Sequence, residues 1–163
     1  MKTRKVADGV GVEANLFARI ENKKTGEVEW RETHNLVVTD GLNFLRDSLF
    51  GLDGRSMDFV ALGDDNTASS SGMDSLQGTE SIRKDLDQTD VDTSSNGSIT
   101  YQFKLATTEP SSQPVDIGEI GLFADQKGDS NDEMFSRAIF NSPFEKNADI
   151  EIRFFYTISF TNP

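Results

Sequence analysis

The C-terminal stretch IEIRFFYTISF, residues 150 to 160, constrains the fold more than any other part of the chain. Ile150, Ile152, Phe154, Tyr156, Ile158 and Phe160 recur at every second position, and Glu151, Arg153, Thr157 and Ser159 fall between them, with Phe155 the exception. Only an extended strand gathers such a series on one side, because its successive side chains point to opposite faces. Each residue of this size contributes about 1.5–3 kcal/mol when fully buried. The strand is therefore expected at the centre of a sheet rather than at its edge.

The same period recurs upstream. Ile99, Tyr101, Phe103 and Leu105 alternate with Ser98, Thr100, Gln102 and Lys104. Residues 14–20 and 27–33 flank the turn NKKTG, where Asn22 and Gly26 can take positive φ, and read as a hairpin. Shorter strands are predicted at MDFVALG, ESIRKD, IGEIGLFA and MFSRAIF. Gly118 and Gly121 in the third of these predict a bulge or a close backbone approach. EPSSQPVD and NSPFEKNAD read as loops, and MDSLQG as one helical turn.

One segment changes period. Leu42, Leu45 and Leu49 fall at helical spacing with Phe44 beside them, Thr39 or Asp40 serving as N-cap and Gly51 as the terminal glycine. That leucine stripe is expected to pack on the sheet or close one end of the core. The pattern predicts an all-β protein, an antiparallel β-sandwich of jelly-roll or Greek-key type with one short α-helix. Residues 1–13 are polar and glycine-rich and are expected to form a flexible N-terminal arm. Residues 14–163 form the sandwich domain.

The chain carries 28 acidic against 16 basic residues, a net charge of −12. Such a surface repels phosphate backbones, so nucleic acid is not an expected partner. Two readings of the acidity stay open: a self-repelling soluble surface, or adaptation to high salt, where screening removes the repulsion. The sequence has no cysteine, which excludes disulfides and thiolate metal sites. No stretch approaches the roughly 20 apolar residues of a membrane helix, so no membrane partner is expected. No secretory signal is read at the start.

The candidate sites are sparse. His34 is the single histidine, and a catalytic histidine needs an orienting acid and a nucleophile beside it. A turn hydrogen bond is the plainer role. Acidic loops offer oxygens to a hard cation such as Ca²⁺ or Mg²⁺ at Asp64 and Asp65, at Asp87, Asp90 and Asp92, and at Asp125, Asp129 and Asp132. None fits the EF-hand loop: counted from Asp90, the twelfth position is Tyr101. The acids single out no pair for glycoside hydrolysis. FVALGDDNTASSSG lacks the lysine and glycine spacing of a phosphate loop and reads as a strand exit. No catalytic residue and no cofactor is predicted.

The stretch from Phe59 to Lys84 also carries a resemblance. Ala61-Leu62-Gly63, then Thr67, Asp74, Ser75, Leu76, Glu80 and Arg83, is similar to a pattern in structural proteins of tailed viruses. HNLVVTDGLNFLRDSLFG resembles that family's preceding helix, and EIGLF followed by SRAIF its hairpin. PFEKNADIEIRFFYTISF resembles its lysine–aspartate turn and long last strand. The likeness spans about residues 34 to 160. It implies a non-enzymatic virion protein, a homo-oligomer touching other virion proteins as a head decoration or turret, or in the tail, baseplate or fibre. The alternative is a carbohydrate- or surface-binding sandwich, Ca²⁺-dependent or not, that meets a host-surface glycan through Trp30, Tyr101 or Tyr156.

Overall fold

The computed structural model describes residues 11–52, 54–86, 91–124 and 133–161. In chain order the elements are β1 (Gly11–Asn22), β2 (Val28–Val37), α1 (Thr39–Leu49), β3 (Phe59–Gly63), β4 (Glu80–Asp85), β5 (Val91–Asp92), β6 (Ser98–Leu105), β7 (Val115–Phe123), β8 (Met134–Lys146) and β9 (Ile150–Thr161). The protein is all-β with one short helix, and the strands pair antiparallel in the single order β4-β3-β7-β8-β2-β1-β9-β6-β5.

That one ladder makes both layers. Val60 and Leu62 of β3, near one end of the order, share an apolar cluster with Tyr101, Phe103 and Leu105 of β6, near the other. Lys84 of β4 donates to the Lys104 carbonyl of β6 at 2.8 Å. The sheet therefore curls until its ends face each other. One layer is β4-β3-β7-β8 and the other β2-β1-β9-β6-β5. They join where Asn35, Leu36 and Val37 of β2 pair with Ala138, Arg137 and Ser136 of β8.

β9 is central, between β1 and β6, and buries Ile152, Phe154, Tyr156 and Ile158. Phe154 stacks on Phe103 at 4.7 Å between ring centroids. In the β1–β2 turn, Gly26 takes a φ of 78°. Asn22 keeps a negative φ instead, and its side-chain oxygen accepts the N–H groups of Lys24 and Thr25 at 2.9 and 3.0 Å.

The expected irregularity in β7 lies at Gly118, where the pairing with β8 shifts between Ile117 and Glu119. An extra residue reverses the alternation beyond it. Ile117, Ile120 and Leu122 thus share the main core, while Phe123 turns to a smaller cluster with Val38, Ala61 and Met134. Simple period two had placed Ile117, Glu119 and Phe123 on one side.

The helix forms where expected but turns a different face inward. Gly41 and Phe44 are buried, whereas Leu42 and Leu49 are exposed and Leu45 is half-buried. Gly41 lies so close to the Phe135 carbonyl that a Cβ would overlap it. Docking the smallest residue against β8 main chain keeps Leu45 at the edge of the core and turns Leu42 and Leu49 away. The N-cap is Val38, without a side-chain bond. Thr39 N–H is instead met by the Ser71 carbonyl at 2.8 Å. Gly51, at φ 68°, follows the helix as expected.

Other boundaries moved. β8 continues through NSPFEK to Lys146, so the expected loop shrinks to a short turn. β1 begins at Gly11, and residues 11–13 of the expected arm pair with Thr161 to Ser159. Residues 1–10 lie outside the described residues. Residues 73–78 form bends rather than a helical turn.

The chain's two tyrosines test this core. Burial, with the charge of Asp58 adding, pushes the Tyr101 phenol up to about 12 from 10.0. Burial pushes Tyr156 further up. A folded-state value above the unfolded one leaves stability intact below pH 10 and removes it as pH climbs through the folded value. Tyrosinate absorbance should therefore stay flat through the ordinary phenol range and appear only with alkaline unfolding. An ordinary titration of either phenol in the folded protein would contradict its burial.

Candidate functional site

The strand exit after Gly63 does not leave the molecule. Residues 64–79 turn back across the outer face of β3, β7 and β8, where Met73 and Leu76 cover the Ala61–Phe123 cluster. The loop is held there by two charged side chains, Glu119 of β7 and Arg137 of β8, both wholly buried. Arg137 Nε donates to Glu119 Oε2 at 2.6 Å.

Each partner also holds main chain. Glu119 accepts the N–H groups of Gly78 at 2.6 Å and Gln77 at 3.1 Å. Arg137 donates to the Thr67 carbonyl at 2.8 Å, to Ser69 Oγ at 3.1 Å and to Asp65 Oδ1 at 3.0 Å. A buried charge is tolerated only when paired and hydrogen-bonded, and here the loop backbone completes the set. Gly63 leaves room for it, since a Cβ there would stand 2.6 Å from Glu119 Oε1.

A second pair edges the same patch. Arg83 and Glu80 of β4 bond at 2.9 Å, and the Arg83 guanidinium lies 4.0 Å over the Phe123 ring. A guanidinium over an aromatic face is attracted by the ring quadrupole. Ala61, Gly63, Thr67, Leu76, Glu80, Arg83, Glu119, Phe123 and Arg137 thus line one region: a loop clamped on a sheet. At the far end of β8, wholly buried Lys146 donates to Gln113 Oε1 at 3.0 Å and to the Asn147 carbonyl at 2.8 Å. Burial holds its ammonium below the usual value.

Among the described residues, the expected cation ligands Asp64, Asp65 and Asp92 accept hydrogen bonds from the chain itself. Asp64 Oδ1 accepts Thr79 N–H at 2.7 Å. Asp65 Oδ1 accepts Thr67 N–H at 2.7 Å and the Thr67 hydroxyl. Those bonds, with Arg137 adding, hold Asp65 below the ordinary carboxylate value. Asp92 accepts Ser94 N–H at 2.8 Å and is lowered by it. Asp87, Asp90, Asp125, Asp129 and Asp132 lie outside the described residues. Among the described residues no three of His, Cys, Asp and Glu gather closely enough to hold an ion. His34 lies within β2, opposite Asn15.

The three aromatic candidates separate. Tyr101 and Tyr156 are buried, and Trp30 is 58% exposed, stacked on Phe155 at 6.1 Å between centroids. Trp30 rides on the outer face of the sheet, opposite Arg19. Sequence reasoning also missed the Glu119–Arg137 pair as a site. Its signal is a single charge inside a strand that is apolar on both faces, as in IGEIGLFA and MFSRAIF.

No family model, curated protein or solved structure matches the chain.

Removing one member of a buried pair strands the other, at a cost of about 3–5 kcal/mol. Arg137→Met should lower urea-unfolding stability by about that much and expose residues 64–79 to protease before the rest of the chain. Glu119→Gln leaves one acceptor oxygen where Gln77, Gly78 and Arg137 use two, and it strands the Arg137 charge, so its loss should be of the same order. Equal and small losses in both variants would mean that the pair does not hold the loop.

Proposed function

We propose that this chain is a non-enzymatic structural subunit of a tailed-virus particle, working as a homo-oligomer on the head surface, as decoration or turret, or in the tail, baseplate or fibre. The observation that carries the reading is the apolar end of the body. Leu49, Phe50 and Leu52 are 83, 77 and 77% exposed, and Leu42, about two turns earlier on the same face of α1, is 49% exposed. Large apolar side chains exposed together are the usual mark of a protein contact.

The residues behind the viral resemblance support the same reading from a different side. Glu119 and Arg137 clamp residues 64–79 to the sheet, Gly63 makes room for Glu119, and Glu80 and Arg83 pair beside Phe123 at the edge of the same patch. Their charges are spent on main chain and on one another. A rigid two-layer block with one greasy end suits assembly, and the acidic remainder suits a salt-rich medium, where screening shortens the repulsion between copies.

A second reading, a carbohydrate- or surface-binding module with or without Ca²⁺, draws on exposed Trp30 stacked over Phe155. An aromatic face of this kind can receive a sugar ring.

Light scattering after size exclusion in high salt should give a mass several times that of the chain. Leu49→Asp with Phe50→Ser should return it to the monomer without moving its unfolding midpoint, since both side chains are exposed. A wild-type chain that stays monomeric at all concentrations removes the assembly reading. Chelator-sensitive binding on a glycan array by that monomer would favour the second.

A further inference from the structure

At the end of the sandwich where α1 packs, a cavity of about 410 Å³ opens. It is walled by Leu45 of α1, by Met57, by Ile99 and Tyr101 of β6, and by Ile158 and Phe160 of β9. The β5–β6 turn around Ser95 forms its rim, and no residue lining it is charged. Space of that size holds on the order of ten waters, and expelling water from apolar walls is favourable.

The chain carries a filling for this space and does not spend it on itself. Leu49 lies one turn beyond Leu45 on the same helix face, about 5–6 Å away between Cβ atoms. Phe50 and Leu52 follow it past the end of α1, and all three stay largely exposed. Knob and socket thus sit side by side on one end of the molecule, and every copy brings both.

Charge argues for the same place. Copies of a chain with a net charge of −12 repel one another, and here they can meet through uncharged side chains. Arg46 is paired with Asp47 at 2.7 Å and Arg55 with Glu133 at 2.6 Å. Asp58 and Asp92 adjoin the lining residues Met57 and Thr93 and are left for salt to screen. A large apolar side chain buries about 150–250 Å², so Leu49, Phe50 and Leu52 bring on the order of 400–500 Å² at their exposures. That is over half of the roughly 800 Å² each partner contributes to a stable contact. Half-exposed Phe160, in the socket wall, adds to it.

We propose that Phe50 of one copy, with Leu49 and Leu52 beside it, seats in the cavity between α1, β6 and β9 of a second copy, which returns its own Phe50 in exchange. The proposal rests on the assembly reading above and names the contact it uses. Because one surface serves both copies, the contact is isologous and closes about a twofold axis. Larger assemblies are then built from that pair.

Blocking the socket while keeping the knob tests this in the full chain. Ser95→Arg, at an exposed rim position, and Phe160→Lys, in the wall, should each weaken association at least tenfold by light scattering. Both add positive charge to an acidic chain, so added repulsion is not the cause. Anilinonaphthalene sulfonate, a dye that reports exposed apolar surface, should brighten several-fold more with the monomer carrying Leu49→Asp and Phe50→Ser than with assembled wild type. If it does not, the cavity is filled by its own chain and the inference fails. If wild type assembles and both socket variants assemble as tightly, the knob docks elsewhere: the inference fails while the assembly reading stands. If wild type is monomeric, both fail. Should Phe160→Lys not fold, as judged by its tyrosine absorbance, Ser95→Arg decides alone.

Discussion

Three consecutive residues of β8 join the two layers. Ser136, Arg137 and Ala138 make the only register that β8 has with β2, and each does something different off the backbone. Ser136 turns inward to the hydroxyl of Tyr156, which also meets Asn35. Ala138 packs in the main core. Arg137 turns outward and binds Glu119 and the crossing loop. A short ladder would be a weak hinge between two layers of sheet. Polar bonds beneath it and a buried ion pair above it make it a rigid corner.

The loop clamp follows from that corner. Because Arg137 is aimed away from the core, the second apolar cluster has a charge beside it and needs a cover that can supply acceptors. Residues 64–79 provide one, with Thr67, Ser69 and Asp65 for Arg137 and two N–H groups for Glu119. The polar run that invites a metal or phosphate reading is thus the lining of a buried ion pair. Its aspartates point at the chain's own backbone.

Much of the strand pattern was legible. Ile152, Phe154, Tyr156 and Ile158 are buried in a central strand, as their alternation required, and Tyr101, Phe103 and Leu105 answer them from β6. The errors share a cause. The helix stripe, the phase of β7 and the length of β8 depend on what stands opposite, which local period does not report. Gly41 against Phe135 turned Leu42 and Leu49 outward, and the bulge at Gly118 reversed an alternation that looked regular. Trp30 takes its exposure from its strand position, which puts it opposite Arg19 on the outer face.

The amino-acid order by itself settled that the protein is an antiparallel β structure with one helix, because period two and period 3.6 are properties of the backbone alone. It also settled a strongly acidic surface with no thiol chemistry. Only the tertiary structure decided that one continuous sheet forms both layers, that Glu119 meets Arg137, and that Leu45 and Phe160 wall one cavity. Those facts join residues 18 to more than 110 positions apart in the chain, and such pairings are chosen by register and curl, for which no local pattern carries a code.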